Sequence, residues 1–229
     1  MTWEEACSFP LTAITAYDAE CVDSRVKLGN GCSIFINGGS GGVGLYAIQL
    51  ARYLVGETGK VVTTCSSKNV ELVKQNGADD VIDYTTTNVA QYLSQNYHEH
   101  KLDLVLDAIG SFDIFKACAA FLNPKGVYLM IGAPIPANFT GVLTMGANLI
   151  SATLVPGILG GVPRKFRMTL MTPRKHAVEA IGELVEQKVL KPVLDSVWEF
   201  DDEGMKGAYT KIMSHHARGK VLIRQPAKP

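Results

Sequence analysis

No two cysteines in this chain are spaced C-x-x-C; the five, Cys7, Cys21, Cys32, Cys65 and Cys118, are scattered. That excludes a zinc knuckle built on such pairs and a dense disulfide framework, and it favours a reducing compartment. Charge of one sign is also missing: 22 basic residues balance 22 acidic ones. Bulk electrostatics therefore give no reason to expect a nucleic-acid partner. The opening Met1-Thr2-Trp3-Glu4-Glu5 lacks the charged-then-apolar order of a secretory leader, and the expected location is cytoplasmic, with a mitochondrial or other organellar address as the alternative. From Gly126 to Pro163 there is no charged residue at all. Pro134, Pro136, Pro156 and several glycines interrupt the stretch, so it cannot supply the roughly 20 unbroken apolar residues of a membrane span. Buried strands and an apolar pocket wall are expected there, with peripheral membrane contact as the alternative.

What is present is an α/β composition, 47% hydrophobic with 22 glycines. Its most informative segment is Asn37-Gly38-Gly39-Ser40-Gly41-Gly42-Val43-Gly44, which follows the apolar run Ser33-Ile34-Phe35-Ile36 and opens a helical pattern in Val43, Ala47, Leu50, Ala51 and Leu54. Gly39, Gly41 and Gly44 satisfy G-x-G-x-x-G in the strand–turn–helix setting that gives the pattern meaning. Gly39 is expected to turn the chain tightly, Gly41 to let backbone approach a pyrophosphate, and Gly44 to let the helix pack close to the sheet. The helix start then offers unpaired N–H groups and partial positive charge to phosphates.

Further along, strand signals (61–65, 81–83, 102–106, 127–131) alternate with helix signals (69–76, 88–96, 112–122). This alternation predicts βαβ units in a doubly wound parallel Rossmann sheet with helices on both faces. Upstream, Thr2 and Glu5 predict a capping box, and Pro10 a second helix running towards Asp23. Downstream, Leu149 to Val155 reads as one more strand, Pro173 to Lys188 as a helix, Val193 to Phe200 and Lys220 to Ile223 as strands, and Asp201 to Met213 as a helix. The expected organisation is leading helices over 1–24, a dinucleotide-binding domain over 25–172, and a returning segment over 173–229.

The second strand of a dinucleotide fold that takes NAD ends in an acidic residue about 20 residues past the glycines. Here it ends Thr64-Cys65-Ser66-Ser67-Lys68-Asn69, with Glu57 before the strand and Glu71 inside the next helix. Ser66, Ser67 and Lys68 suit a 2′-phosphate instead, which predicts NADP(H). A rival pattern overlaps the loop, since Gly38-Gly39-Ser40-Gly41-Gly42 also fits the G-x-S-x-G nucleophile elbow. His215 and His216 could nominally serve Ser40, but only one strand precedes it, leaving no earlier loop for an oxyanion hole. Leu45 after Gly44 excludes a Walker loop, and no Tyr-x-x-x-Lys of a short-chain reductase follows the fifth strand. His98 and His100 flank Glu99 in a polar segment and read as solvent-facing.

Taken together, several segments resemble the medium-chain dehydrogenase/reductase superfamily, most closely its zinc-independent quinone oxidoreductase branch of reticulon-4-interacting and chloroplast-envelope type. They are 9–16, 39–44, 64–74, 77–84, Leu104-Val105-Leu106-Asp107-Ala108-Ile109-Gly110, and Ala217-Arg218-Gly219-Lys220-Val221-Leu222-Ile223. The resemblance implies that Ser40, Gly41, Gly42 and Val43 hold the pyrophosphate, with Ser66 and Lys68 on the 2′-phosphate and Tyr84 beside it. It further implies Ile109-Gly110 and Ile131-Gly132 along ribose and nicotinamide, and Thr15 near the nicotinamide. A quinone, enone or carbonyl compound is the implied small-molecule substrate, and a homodimer through the strand near Leu149–Val155 the implied assembly. The family begins with a barrel-like catalytic domain on the order of 100 residues, which this chain is expected to lack. The last strands, a remnant of that GroES-like barrel, are then expected to be unpaired, and no metal is expected.

Overall fold

The chain opens with α1 (Trp3–Ser8), begun by the reciprocal cap that its T-x-x-E spacing predicts: the Glu5 amide donates to Thr2, and the Thr2 amide to the Glu5 carboxylate. α2 (Thr12–Tyr17) starts after Pro10 rather than on it and runs into a π-helical stretch, Asp18–Asp23. The computed structural model describes residues 1–132, 138–155, 159–169, 172 and 174–225; Pro134, Pro136, Pro156 and Pro173 lie outside these.

Six strands form one sheet: β1 (Ser33–Asn37), β2 (Lys60–Cys65), β3 (Asp80–Asp83), β4 (Leu102–Asp107), β5 (Leu122–Met130) and β6 (Lys165–Met168). Their order is β3-β2-β1-β4-β5-β6, with every neighbouring pair parallel. The intervening helices are α3 (Gly42–Val55), α4 (Val70–Gln75), α5 (Val89–Asn96), α6 (Phe112–Phe121) and α7 (Phe139–Leu154). Strand residues alternate between two apolar layers. Ile34 and Ile36 pack with Leu45 and Ile48 of α3, while Phe35 packs with Phe115 and Phe121 of α6. Burial on both faces is why these strands read as continuous apolar runs rather than period-two patterns. After β3 the chain crosses to the far side of β1 and adds β4, so a crevice opens at the carboxyl ends of those two strands.

Three expectations are corrected. Leu149 to Val155 is not a strand but the end of α7, whose start is capped by the Asn138 side chain accepting from the Gly141 amide at 2.8 Å. A short apolar run satisfies either period, and a cap eleven residues upstream of Leu149 decided for helix. The sixth strand is Lys165–Met168 instead, an edge whose Lys165 and Arg167 hid it among polar residues and discourage indiscriminate pairing. Finally, the last strands are not unpaired. After α8 (Lys175–Glu186), β7 (Leu194–Glu199) and β8 (Lys220–Arg224) pair with each other in parallel across α9 (Asp202–Met213). A parallel pair needs such a crossover.

The π-helical stretch carries buried acids. Asp18 is ion-paired with Arg174 at 3.1 Å, and Asp23 bonds the Thr169 hydroxyl, which ties this stretch to the chain after β6. Glu20 is buried with neither carboxylate oxygen bonded, and burial pushes its carboxyl well above the ordinary 4.5. A carboxyl whose pKa is raised on folding keeps a proton that the unfolded chain has released. Its favourable contribution is therefore complete below the unfolded value and is lost as pH rises through the folded value. Glu20→Leu is expected to raise urea-unfolding stability at neutral pH by about 1–3 kcal/mol and to flatten its decline above the ordinary carboxylate range; an unchanged pH profile contradicts the assignment.

Candidate functional site

The glycine loop sits at the mouth of the crevice between β1 and α3. Its left-handed residue is Gly38, at φ +88°, rather than Gly39. The Gly38 amide donates to Thr64 Oγ1 at 2.8 Å and the Gly39 amide to the Thr64 carbonyl at 2.9 Å, which seats the turn on β2. A Cβ on Gly39 would lie 2.0 Å from Thr63 Oγ1, so that glycine is needed for the approach of the neighbouring strand. A Cβ on Gly44 would lie 2.2 Å from the Gly38 carbonyl oxygen, so at this residue α3 lies directly against the loop's own backbone. Gly41 differs: its nearest obstacle is 3.4 Å away, and it forms the N-cap of α3 without any side-chain cap. The first-turn amides are thus left for an outside acceptor, with no Cβ shielding them.

Beside the loop lies a cleft of about 970 Å³. Ser66, Ser67, Lys68 and Tyr84 line one side of it, brought together by the carboxyl ends of β2 and β3. Tyr84 is 50% exposed, which makes it a wall residue and not a core aromatic. Lys211, His216 and Arg218 line the opposite side. This wall is fastened to the loop, since the Gly219 amide donates to the Ser40 carbonyl at 3.2 Å and Gly41 bridges Gly219. Next to it, the Lys220 stem lies against Gly42, and burial pushes the Lys220 ammonium down.

The cleft's charges are unevenly paired. Asp195 faces it and meets Lys211 at 3.2 Å; burial acts to raise its carboxyl, but the Arg218 amide and Lys211 outweigh this and hold it low. Asp83 sits by Ser67 and is held low by Thr85, through its hydroxyl and amide. Among the described residues, neither the Lys68 ammonium nor the Arg218 guanidinium has an acidic partner. These two cations remain free for an anion.

The other expected residues divide. Ile109 and Gly110 turn beyond β4, Ile131 and Gly132 follow β5, and Ile109 Cδ1 would lie 2.7 Å from a Cβ on Gly38. These four gather at the crevice as expected. Thr15 donates its hydroxyl to the Leu11 carbonyl at 2.7 Å within its own helix, as Thr12 does to the Ser8 carbonyl at 3.0 Å. Thr12, one turn earlier, has its methyl 3.3 Å from where a Cβ on Gly42 would stand. Ser40 accepts from Asn69 Nδ2 at 3.2 Å, and the same amide group reaches Ser66 Oγ at 3.4 Å. Asn69 thereby links the glycine loop to the end of β2, a role that nothing in its local spacing announced. The hydrolase pattern fails on geometry: an elbow nucleophile is strained, yet the described non-glycine residues with positive φ are Arg25, Lys188 and His215, not Ser40.

A six-stranded parallel sheet with a glycine-lined crevice at its switch point defines a dinucleotide-binding α/β fold. The family described as zinc-binding dehydrogenase matches residues 76–223, more than half of the chain. This chain belongs to that family, within the medium-chain dehydrogenase/reductase superfamily. The trans-enoyl reductase poxH of Penicillium oxalicum is 35% identical to it over 86% of this chain and 51% of its own length. A mitochondrial NAD(P)H oxidoreductase, RTN4IP1 of Danio rerio, is 30% identical over 96% of this chain and 56% of its own. The chain therefore spans a little over half the length of these curated relatives. Among solved structures, the quinone oxidoreductase from Coxiella burnetii superposes with a TM-score of 0.72 at 22% identity, over 97% of this chain and 61% of that one. The reductase and oxidoreductase activities in those names are those of proteins of which this chain spans a part.

Because Gly44 faces backbone that cannot move aside, Gly44→Ala is expected to cost about 1–3 kcal/mol of stability, read as a lowered melting temperature. Gly41→Ala, with open space around it, should melt within a degree or two of wild type, on the order of a surface change.

Proposed function

We propose that this chain is the coenzyme-binding part of an NADPH-dependent oxidoreductase of quinone-reductase type. The observation that carries the reading is that Lys68 and Arg218, two cations without an acidic partner among the described residues, line one cleft next to an uncapped, Cβ-free helix start. The residues fit the coenzyme part by part. Gly41 leaves a cradle for the pyrophosphate, and Ser66, Ser67 and Tyr84 bring hydroxyls to the 2′-phosphate. Ile109, Gly110, Ile131 and Gly132 wall the nicotinamide side. The chemistry a bound coenzyme would supply is hydride transfer from its nicotinamide to a quinone, enone or activated carbonyl. The chain's own work is to bind, to orient and to keep water from the reacting face. No metal enters this reading, and none of the residues named here is assigned as proton donor.

A second reading is a chain that holds NADPH or pairs with another copy but turns nothing over. The apolar, uncharged face of α7, with Phe139, Leu143 and Ile150 exposed beside the edge strand β6, favours a homodimer at this edge. Cytoplasm is the proposed compartment, and the mitochondrial relative names the alternative that fractionation would test. Among the described residues no helix is long and apolar enough to cross a membrane.

Nucleotide fluorescence titration tests the leading reading. NADPH should bind at least about tenfold tighter than NADH, and Lys68→Ala and Arg218→Ala should each weaken NADPH about tenfold while sparing NADH. Equal affinity for the two coenzymes overturns it, and steady-state reduction of quinones or enones by the chain alone defeats the inert reading. For the assembly, sedimentation equilibrium should give a dimer that Leu143→Glu dissociates; a monomeric wild type removes the α7–β6 interface.

A further inference from the structure

Beneath the crevice runs a buried polar seam that binds no ligand itself. At its centre is Asp107, the last residue of β4, wholly buried and paired in register with Asn37 at the end of β1. Its Oδ1 accepts from the amides of Ile109 at 3.0 Å and Gly110 at 2.9 Å, and from Asn37 Nδ2 at 2.8 Å. Its Oδ2 accepts from the Ser111 amide at 2.6 Å and from the Tyr128 hydroxyl at 2.6 Å. Asn37 Oδ1 in turn accepts from the Thr64 hydroxyl at 2.7 Å, and Thr64 Oγ1 accepts from the Gly38 amide at 2.8 Å. One chain of bonds thus joins the first residue of the glycine loop to the turn beyond β4. The direction of each bond is dictated by chemistry: amides and hydroxyls donate, and the carboxylate only accepts.

This seam costs more to build than an apolar one. Placing a carboxylate here requires every lone pair to be met, and here five donors do so. Packing alone does not call for the expense, since the flanking strand positions Leu106 and Leu129 are aliphatic. What the carboxylate achieves that a leucine could not is to gather three successive amides of a turn whose Gly110 is left-handed, at φ +86°. That turn carries Ile109, whose tip presses on Gly38. The β5 wall is held by the same residue, because the Ile131 amide donates to the Asp107 carbonyl at 2.9 Å. Tyr128 supports the arrangement from below; burial and the Asp107 charge push its phenol up, so it stays a donor.

We infer that Asp107 is a positioning residue which, through Tyr128 and Asn37, fixes the nicotinamide-side turn Ile109–Ser111 relative to the glycine loop. The inference rests on the coenzyme reading proposed above and adds to it a residue that touches no coenzyme. It requires the adenosine end of the ligand to be indifferent to Asp107 and the nicotinamide end to depend on it.

The test compares NADPH with adenosine 2′,5′-bisphosphate, which carries the phosphate end and no nicotinamide. Tyr128→Phe removes one donor from Oδ2 and little bulk, so it should fold; Asp107→Asn is the stronger change. Both should weaken NADPH about tenfold relative to the bisphosphate. Asp103→Asn, which alters the carboxylate at the opposite end of the same strand, where it accepts from the Ser33 amide, should move neither ligand. Amide hydrogen exchange of the ligand-free protein gives an independent readout: Ile109, Gly110 and Ser111 should exchange about tenfold faster in Tyr128→Phe, as loss of a bond to a charged group requires. Proportional weakening of both ligands, or unchanged exchange at the turn, overturns the inference. A wild type that binds neither ligand overturns the coenzyme reading instead, and the exchange result still decides whether Asp107 holds the turn.

Discussion

Two neighbouring parallel strands that end level, with the chain departing from them in opposite directions, leave a gap in the sheet's upper rim that no connecting segment fills. In this protein those strands are β1 and β4, and the level ending is the pairing of Asn37 with Asp107. The rest of the site depends on that pairing. The glycine loop leaves one strand, the Ile109–Ser111 turn leaves the other, and both are tethered to the same buried seam. Shifting one strand past the other by one residue would put Asn37 and Asp107 on opposite faces of the sheet and break the seam. The polar pair and the apolar layers beneath it therefore specify the same register.

Around this fixed rim the electrostatics are arranged by pairing rather than by net charge. The chain as a whole is neutral, yet the cleft presents two cations without partners and a third, Lys211, already engaged by Asp195. Asp83, beside Ser67 of the cleft wall, is occupied by Thr85. An anion entering there meets charges that are not spent on internal ion pairs, next to amides that the helix leaves unbonded. Such pairing is local, which is why overall composition gave no hint of it.

How much of this was legible follows from distance along the chain. The strands β1 to β5 could be read because burial on both faces makes each an apolar run, and the helices between them announce a parallel sheet. The glycine loop could be read because the steric demands are met within eight residues, though the demand at Gly38, the left-handed position, is visible only in the backbone. Ser66 and Lys68 could be read because they follow a strand end directly. Arg218, Lys211 and His216 could not, since they reach the cleft only after α9 and β8 fold back onto the loop. Thr12 and Thr15 share a helix one turn apart, a distinction that spacing alone cannot resolve. The mistaken strand at Leu149–Val155 and the overlooked one at Lys165–Met168 have one origin: outside the core, where one side of an element meets solvent, apolar content no longer identifies its type.

The fastening of the far wall to the glycine loop, Gly219 to Ser40, has a consequence for the order of events during synthesis. The loop and its first strands leave the ribosome long before residues 193–220, so the nascent chain can complete most of its sheet while one wall of the cleft does not yet exist. Pairing β7 with β8 and laying both beside Ser40 is a long-range closure, slow by nature compared with the local turns that precede it. A coenzyme would thus meet a finished receptacle only once residues 193–220 have emerged, and would favour that docking event over the open chain that precedes it.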